Sequence, residues 1–411
     1  MPAGSFELPP TAGLPAVFGD FIRKPARAFT LGLQDWLGLP EPVIPTCSGT
    51  AALVVALKTL HQRAPAKNQV IIPAYTCPLV ALAVKLVPGL SALPCDTVRG
   101  GIDLAPEALG ALCSERTLAI VPAHLGGRVA DLTRVCAIAK KCGALVIEDA
   151  AQAMGAFNHG VSVGLAGDAG FFSLAVGKGL STYEGGVLFS RHPDLSAELA
   201  AMAKKTLLPD FFRNLRRLLE LAGYMALYSP SGLRHAYGRS LRRELARGDE
   251  VRAVGDYFTL EDIPLHSPDS LRLRAAANAL ERLPAFLAQG RMRAEKYLAE
   301  LRKLEGVAVV RDNPDANGVW PFFMALLPGK RERDDILRRL WTSGLGVSKL
   351  FAHALPDYAY LGESGTGSPA GGPEAYSGAR DFAARMFTIT NSPWLDEEKF
   401  SGIVAVMRES L

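Results

Sequence analysis

Apolar runs of strand length alternate with helical patterns along the first half of the chain. The near-continuous apolar runs are QVIIPAY, LSALPCD, LAIVPAHL and ALVIEDA, and the helical segments between them are PLVALAVKLV, ALGALC and DLTRVCAIAKKCG. Strands that lack polar alternation are typically buried on both faces, and intervening helices supply the crossovers between parallel strands. The pattern therefore predicts an α/β fold with a mostly parallel sheet covered by helices.

Polar side chains stand at or just after the ends of these strands. They are Tyr75, His124, Asp149 and the turn Ser48-Gly49-Thr50. In open parallel sheets the ligand crevice lies beyond the carboxyl ends of the strands. We therefore expect these residues to converge on one crevice.

The stretch from 145 to 186 carries the most specific chemistry. The strand LVIEDAAQA brings Glu148 and Asp149, and FFSLAVGKG places Lys178 between two glycines, five residues after Ser173. A pyridoxal phosphate (PLP) enzyme needs a lysine for its Schiff base and a buried carboxylate beside the pyridinium nitrogen. Each residue alone has an ordinary interpretation, as a solvated lysine or a strand-end cap. Their combination, behind the Ser48-Gly49-Thr50 turn, predicts a PLP site.

That turn joins a short strand to a helix that begins at Ala51. Small residues at a helix start let backbone N–H groups face an anion, helped by the helix dipole. This arrangement suits the phosphate of PLP. The alternative is that a hydroxyl of the turn simply caps the helix.

Composition changes divide the chain into parts. Residues 1–25, rich in Pro and Gly, are predicted to be an N-terminal arm that packs on another surface. Residues 26–260 are predicted to form a large PLP-binding domain with a basic helical insertion over about 191–255. Residues 261–411 are predicted to hold a long helix and a small C-terminal α+β domain, with a Gly/Ser-rich loop through 362–372. The insertion is interpreted as a solvated surface or, alternatively, as a face for an anionic substrate, a partner or a membrane.

The overall composition excludes several classes of protein. A net charge of +4 over 411 residues is too small to predict nucleic-acid binding. No apolar run reaches the length of a membrane span, and the N-terminus lacks the pattern of a secretory signal. The six cysteines have no CxxC spacing, which favours buried, reduced thiols in a cytoplasmic protein over disulfides or a metal site.

Several motifs follow one another in the order and spacing of a known family. They are CSGTAAL, VIIPAYT, AIVPAHLGGRVADL, AIAKKCGALVIEDAAQA and SLAVGKGLSTYEGG, and weaker similarity continues in VWPFFMALLP, LGVSKLFAHALPDY and ITNSPWLDEEKF. The chain resembles the DegT/StrS-type aminotransferases, which are PLP enzymes of the aspartate aminotransferase fold (fold type I) acting on nucleotide-linked keto-sugars. The resemblance implies a seven-stranded sheet in the large domain and a homodimer with sites at the subunit interface.

The resemblance also implies roles for single residues. Lys178 would be the Schiff-base lysine and proton shuttle, and Asp149 would pair with the pyridine nitrogen. His124 matches the family's histidine and is the third catalytic candidate, with a structural role as the alternative. Gln152 would hydrogen-bond the phenolic oxygen of the cofactor. The other cofactor-binding candidates are Ser48, Gly49, Thr50 and Ser173 around the phosphate, with Tyr75 and Cys77 near the ring.

Three positions depart from the family pattern. Cys77 replaces the aromatic residue that usually stacks on the cofactor, which leaves Tyr75 or His124 to cover the ring. Gly179 replaces the usual Asn after the lysine. The turn LHSPDSL stands where an Asn usually reaches the neighbouring subunit's phosphate, so His266 or Ser267 is the candidate substitute.

The leading hypothesis is an aminotransferase that moves an amino group from an amino acid such as glutamate to a keto-sugar, expected to be nucleotide-linked. Such enzymes serve cell-surface polysaccharide or secondary-metabolite biosynthesis. Lys178 separates this hypothesis from the family's dehydratases, which lack the lysine. One alternative is a PLP enzyme of the same fold that acts on another small ketone or amine. The other is a degenerate PLP-binding protein with a structural or regulatory role, against which the intact Lys178, Asp149 and Gln152 argue.

Overall fold

The computed structural model describes residues 6–363 and 375–411. The first residues of the predicted arm, 1–5, lie outside the described residues, as does 364–374, which includes most of the predicted Gly/Ser-rich loop. Within the described ranges, no helix combines the length and the apolar character that crossing a membrane requires.

The first half of the chain alternates strands and helices, as its apolar pattern predicts. In chain order the elements are β1 (Leu14–Pro15), α1 (Arg27–Leu37), β2 (Ile44–Thr46), α2 (Gly49–Arg63), β3 (Gln69–Pro73), α3 (Pro78–Lys85), β4 (Ser91–Cys95), α4 (Pro106–Leu112), β5 (Thr117–Ile120), α5 (Thr133–Cys142), β6 (Leu145–Asp149), β7 (Phe157–Asn158), β8 (Val161–Ser162), β9 (Ala169–Ser173), β10 (Leu180–Ser181), β11 (Gly186–Phe189) and α6 (Pro193–Thr206).

These strands build a seven-stranded sheet in the order β2-β11-β9-β6-β5-β3-β4. Strand β11 runs antiparallel to both of its neighbours, and the strands from β9 to β4 pair in parallel. The predicted mostly parallel sheet is therefore confirmed. Its parallel strands bring the carboxyl ends of β5, β6 and β9 to the same edge.

Helices cover both faces of this sheet because its strands are apolar on both sides. One face packs against α2, α3 and α6, and the opposite face packs against α4 and α5. Helix α2 is the most enclosed of them, since every residue from Ala51 to Leu57 is at most 1% exposed. Its N-terminus is thereby fixed against the sheet.

The second half of the chain is mainly helical until the last strands. Its elements are α7 (Phe211–Leu227), α8 (Pro230–Leu233), a π-helical turn (Arg234–Gly238), α9 (Arg239–Ala246), α10 (Glu250–Val254), α11 (Ser270–Leu301), β12 (Ala308–Val309), β13 (Ala316–Asn317), β14 (Phe322–Leu326), α12 (Lys330–Leu340), β15 (Val347–Ser348), α13 (Ala359–Glu363), α14 (Ser377–Arg385), β16 (Met386–Thr390) and α15 (Glu397–Ser410).

A smaller antiparallel sheet of four strands, in the order β12-β14-β16-β15, forms the C-terminal α+β unit. Its core includes residues of α12 and α15. The 32-residue helix α11 joins the two sheets. Ala276 near its start packs in an apolar cluster with β11 of the large sheet, and Leu298 near its end packs on the small sheet.

The basic segment 191–255 does not form a single detached unit. Leu195 and Leu199 of α6 belong to the core of the large sheet, whereas Leu241 of α9 and Ala253 of α10 belong to the core of the small sheet. Only α7 leaves a mainly exposed surface, with Leu221 as its one fully buried residue. The segment therefore connects the two sheets.

The N-terminal arm lies across both units of the fold. The Glu7 N–H donates to the Pro230 carbonyl (2.8 Å), and the Leu8 N–H donates to the Gly344 carbonyl (2.8 Å). Further on, β1 pairs in parallel with β10, directly after the loop that carries Lys178. Gly13 packs so closely on this loop that a Cβ there would overlap the Lys178 carbonyl oxygen.

We expect Gly13→Ala to destabilise the protein, because the new methyl group would push the arm away from the Lys178 loop. Overpacking of this kind typically costs about 1–3 kcal/mol. Gly19→Ala is the matched control in the same arm, since no heavy atom lies within 4 Å of the Cβ it would add. Chemical denaturation of the two variants measures the difference, and equal free energies of unfolding would contradict the proposed contact.

Candidate active site

Asp149 ends β6 at the carboxyl edge of the large sheet. The side chain belongs to a residue only 8% exposed, and its Oδ1 accepts a hydrogen bond from the Ala151 N–H (3.0 Å). Burial raises the pKa of Asp149, while the Ala151 N–H and the charge of Lys178 oppose this rise. A cation held beside Asp149 would therefore stabilise its ionised form.

Lys178 lies on the loop that follows the neighbouring strand, β9. Gly177 turns the chain with a φ of +76°, a conformation that suits glycine. Removal of Lys178 from water lowers its pKa, whereas the nearby Cys77 and Asp149 act in the opposite direction. The loop thus presents a lysine that loses its proton more readily than a solvated one.

The N-terminus of α2 lies beside the end of β9. Ser48 caps this helix, because its Oγ accepts a hydrogen bond from the Ala51 N–H (3.0 Å). Gly49 sits where a Cβ would come within 3.2 Å of the Ser173 Cβ. The first N–H groups of a helix have no intrahelical acceptor. The capping interpretation of Ser48 is thus correct, and it leaves Gly49 and Thr50 to present their N–H groups beside Ser173.

Gln152 follows Asp149 by three residues and is anchored at one end. Its Oε1 accepts a hydrogen bond from the Gly126 N–H (2.7 Å), and this leaves the amide NH2 group as the donating end. Gln152 lines a small cavity together with Ala12 of the arm and Gly179 of the lysine loop. It therefore lies between the arm and the residues that surround Lys178.

His124 is held on both ring nitrogens by the protein. Its Nδ1 accepts from the Ala130 N–H (3.1 Å), so its Nε2–H donates to Glu148 Oε2 (2.9 Å). The fully buried Glu148 also accepts from the N–H groups of Gly164 (2.7 Å) and Gly167 (2.6 Å). The backbone N–H of His124 donates to the Asp149 carbonyl (2.9 Å). These bonds fix the end of β6.

Tyr75 and Cys77 have different surroundings, although both follow β3. The ring of Tyr75 is 1% exposed between Phe351 and Phe382, and its hydroxyl accepts from the Phe351 N–H (3.3 Å). Cys77 is only partly buried and lies near Lys178. Burial and the charge of Asp256 raise the pKa of its thiol to about 12. Cys77, and not Tyr75, is therefore the residue on the lysine side.

An ion-pair network, which the sequence did not reveal, holds the turn between β10 and β11, which follows the lysine loop. Arg272 at the start of α11 is 2% exposed, and its Nη1 donates to the carbonyl (3.1 Å) and Oε2 (3.0 Å) of Glu184. Burial alone would raise the pKa of Glu184, but the combined effects of His266, Arg217 and Arg272 lower it. In the sequence, only the EGG motif and an arginine at a helix start pointed to this ion-pair network.

His266, one of the two predicted substitutes for the family's Asn, belongs to the same network. His266 is 2% exposed, and its Nε2 lies 3.2 Å from Glu184 Oε2 within the same chain. The N–H of Ser267 donates to the Leu208 carbonyl (3.0 Å). The His266 side chain therefore faces Glu184 of the same chain, in the turn between β10 and β11.

The structure thus brings Lys178, Asp149, Cys77, Ser173 and the start of α2 to one edge of the sheet. These groups fit PLP: a carboxylate with one oxygen engaged for the ring nitrogen, a readily deprotonated lysine for the carbonyl carbon, and a helix N-terminus for the phosphate. No group of three or more His, Cys, Asp or Glu side chains in the described ranges is placed to hold a metal ion.

Comparison with known proteins identifies the class. The profile of the DegT/DnrJ/EryC1/StrS aminotransferase family matches residues 23–224 and 273–408. The chain therefore belongs to this family, as the motifs predicted. Residues 225–272, which include α9 and α10, lie between the two matched segments.

Individual relatives cover different shares of the chain. An L-glutamine:2-deoxy-scyllo-inosose aminotransferase of Streptomyces fradiae is 38% identical over 172 residues, which are 41% of this chain and 39% of the relative. A dTDP-3-amino-3,4,6-trideoxy-alpha-D-glucose transaminase of Streptomyces venezuelae is 26% identical over 88% of this chain and 81% of its own length. The match to the first of these relatives thus spans about two fifths of its length.

The fold has counterparts among solved structures. The crystal structure of AtS13 from Actinomadura melliaura superposes with a TM-score of 0.74 at 20% identity, covering 99% of both chains. The sugar aminotransferase CalS13 from Micromonospora echinospora superposes with a TM-score of 0.71 at 22% identity. Fold type I is therefore confirmed.

We expect the lowered pKa of Lys178 to be measurable in the PLP-free protein. Because burial disfavours the ammonium form, acetylation of Lys178 should reach half its maximal rate at a lower pH than acetylation of the exposed Lys330. Asp149→Asn should move this midpoint lower still, since the Asp149 charge raises the pKa of Lys178. Competitive labelling with mass spectrometry gives both midpoints. Identical midpoints for Lys178 and Lys330 would contradict the environment described above.

Proposed function

We propose that this chain is a PLP-dependent aminotransferase that moves an amino group from an amino acid to a keto-sugar. The observation that carries the proposal is the placement of the partly buried Lys178 near the buried Asp149, at the edge of the sheet where α2 begins. Membership in an aminotransferase family supports the same reaction. PLP, when bound, supplies an electron-withdrawing ring that stabilises negative charge on the carbon being deprotonated.

Different residues of the site would bind different parts of PLP. Asp149 keeps the ring nitrogen protonated through its carboxylate, whose Oδ1 is already fixed by Ala151. The N–H groups of Gly49 and Thr50, together with the Ser173 hydroxyl, bind the phosphate. The amide NH2 group of Gln152 donates to the phenolic oxygen, since its Oε1 is engaged by Gly126.

Lys178 then handles the protons of the reaction. Its amine is more often neutral than that of a solvated lysine, because burial lowers its pKa. With PLP bound, Lys178 Nζ would be the group that accepts the proton removed from Cα of the amino donor and holds it for return. Cys77 lies on the same side and leaves room where the family usually has an aromatic ring.

His124 serves as a positioning residue in this proposal and not as a catalytic acid or base. Both of its ring nitrogens are engaged, by Glu148 and by the Ala130 N–H. Tyr75 likewise supports the fold, because its ring and hydroxyl are enclosed by Phe351 and Phe382. The Tyr75 assignment differs from the cofactor-binding role predicted from the sequence, and the His124 assignment favours the structural alternative over the catalytic one.

The amino donor and the acceptor follow from the relatives' names. One relative is named for L-glutamine and a scyllo-inosose, and another for a dTDP-linked amino sugar. We infer glutamine or glutamate as the donor and a nucleotide-linked keto-sugar as the acceptor. A second candidate acceptor is a polyhydroxylated cyclohexanone without a nucleotide, which the 38% identity to the inosose enzyme favours.

A homodimer and a cytoplasmic location complete the proposal. Helix α7 exposes an apolar stripe of Phe211 (73%), Phe212 (81%), Leu215 (44%) and Leu219 (67%), which suits a second copy of the chain. The positions share one helical face.

All six cysteines are free thiols, as suits a reducing compartment.

An absorption spectrum of the purified protein with PLP tests the reaction. We expect a visible band of lysine-joined PLP that declines when glutamine or glutamate is added. Lys178→Ala should bind PLP without forming this band. Asp149→Asn should retain the band and slow its decline, because the variant loses the carboxylate that keeps the ring nitrogen protonated and the ring electron-withdrawing. A wild-type band that ignores every amino donor would exclude the aminotransferase.

Coupled assays with two acceptors distinguish the candidate substrates. A dTDP-linked 4-keto-sugar and 2-deoxy-scyllo-inosose are offered separately to the aminated enzyme, and the return of the visible band is followed. Recovery with the dTDP-sugar alone supports the first acceptor class, and recovery with the inosose alone supports the second. Recovery with neither compound would contradict both assignments.

We expect the α7 stripe to control the oligomeric state. The double variant Phe212→Asp and Leu219→Asp should weaken self-association at least tenfold, because two charges would be buried at the contact. Met292→Asp is the control, as Met292 is an equally exposed apolar residue (70%) on α11. Sedimentation velocity measures both variants, and an unchanged dimer in the double variant would place the interface elsewhere.

A further inference from the structure

A cavity of about 610 Å³ lies outside the crevice around Lys178. One wall is a face of α12 from Lys330 to Trp341, and the opposite wall is formed by α14 and the segment 349–357. Leu245, Gly248 and Glu250, from the α9–α10 region, close a third side. None of the PLP-site candidates contributes to its lining.

The side chains of this cavity are predominantly cationic. Its lining holds five cations and three carboxylates, and the cations are Lys330, Arg333, Arg338, Lys349 and Arg380. The carboxylates are Glu250, Asp334 and Asp357. The excess of positive charge inside a concave, partly desolvated site favours an anionic ligand.

Two of the lining residues are buried and carry unused hydrogen-bond donors. Arg333 is 2% exposed and Trp341 is 6% exposed. Among the residues that the structure describes, neither Nη1 of Arg333 nor Nε1 of Trp341 has a hydrogen-bond partner. Buried donors are nearly always satisfied in folded proteins, so unused ones beside a cavity indicate a missing acceptor.

Lys349 brings a second buried cation close to these donors. It is 8% exposed, its Nζ lies 2.5 Å from Glu250 Oε2, and it sits 5.6 Å from the centre of the Trp341 ring. Burial and the charge of Arg333 both lower the pKa of Lys349. The fold therefore holds two cations together, each beside one carboxylate: Glu250 on Lys349, and Asp334, whose Oδ1 lies 2.9 Å from Arg333 Nε.

The third wall of the cavity comes from residues that the family profile does not match. Leu245, Gly248 and Glu250 fall within 225–272, between the two segments that the family profile matches. Glu250 is also the partner of Lys349. The family profile match therefore leaves this wall of the cavity undescribed.

We propose that this cavity binds a phosphate-bearing small molecule of nucleotide size, with its phosphate on Arg333, Lys349 and the indole N–H of Trp341. A guanidinium matches phosphate oxygens with paired N–H groups, and an ammonium adds a point charge. The volume lies within the range of small-molecule sites. The phosphate oxygens accept hydrogen bonds from Arg333 and Trp341. The negative charge of the phosphate also offsets the repulsion between Arg333 and Lys349.

Calorimetric titration of the full chain, saturated with PLP so that the α2 site is filled, tests the proposal. The probes are pyrophosphate and ADP, with adenosine and citrate as neutral and carboxylate comparisons. We expect ADP to bind with a Kd below about 1 mM at physiological ionic strength. Binding of ADP more tightly than pyrophosphate identifies an organic phosphate as the ligand class. Failure of both phosphate probes to bind, or tighter binding of citrate, would overturn the assignment.

Variants locate the binding in this cavity. Arg333→Gln and Trp341→Phe should each weaken phosphate binding at least tenfold, whereas Arg331→Gln on the same helix should leave it unchanged. Arg331 is exposed and does not line the cavity. Trp341→Phe keeps an aromatic ring in the core, so it remains informative if the arginine variant fails to fold. Undiminished binding in Trp341→Phe, or an equal loss in Arg331→Gln, would refute the site.

Discussion

Removal of one lysine from water is the constraint on which the proposed chemistry depends. An ammonium group is stabilised by hydration, so the enclosure of Lys178 lowers its pKa, and the carboxylate of Asp149 opposes that change. The two groups need a fixed separation to keep this balance. Parallel pairing of β6 with β9 provides it, because the register sets Asp149 beside Phe171, two residues before the strand leads into the lysine loop.

The lysine loop is held by parts of the chain that are far apart in sequence. Gly13 of the arm packs against the Lys178 carbonyl, and Arg272 at the start of α11 anchors Glu184 in the turn just after β10. Gly49 packs against Ser173 at the entrance of the loop. A change in any of these contacts would reach the lysine without touching its side chain, which is why stability and activity are expected to be coupled at this loop.

The predicted basic insertion consists of three parts with different structural roles. Its first helix, α6, completes the large core, α7 presents an apolar stripe, and the α9–α10 region closes a cationic cavity against the small sheet. Arginine content alone predicted a charged surface. The distinction among these uses depends on which side chains each helix buries, and that is set by its neighbours in space. A cluster of arginines in the sequence therefore says little until the fold assigns each one a partner.

The sequence by itself determined the alternation of elements, the parallel sheet, the family and the pair Lys178 and Asp149, because these depend on local apolar periodicity and on short motifs with fixed spacing. It also placed His124, Tyr75 and Cys77 near the crevice but did not tell their roles apart. Only the tertiary structure showed that Glu148 and the Ala130 N–H engage the nitrogens of His124, and that Phe351 and Phe382 enclose Tyr75. The same holds for His266, whose partner Glu184 lies in the turn between β10 and β11. Hydrogen bonding and burial arise between residues distant along the chain, so their consequences are decided only when the chain is folded.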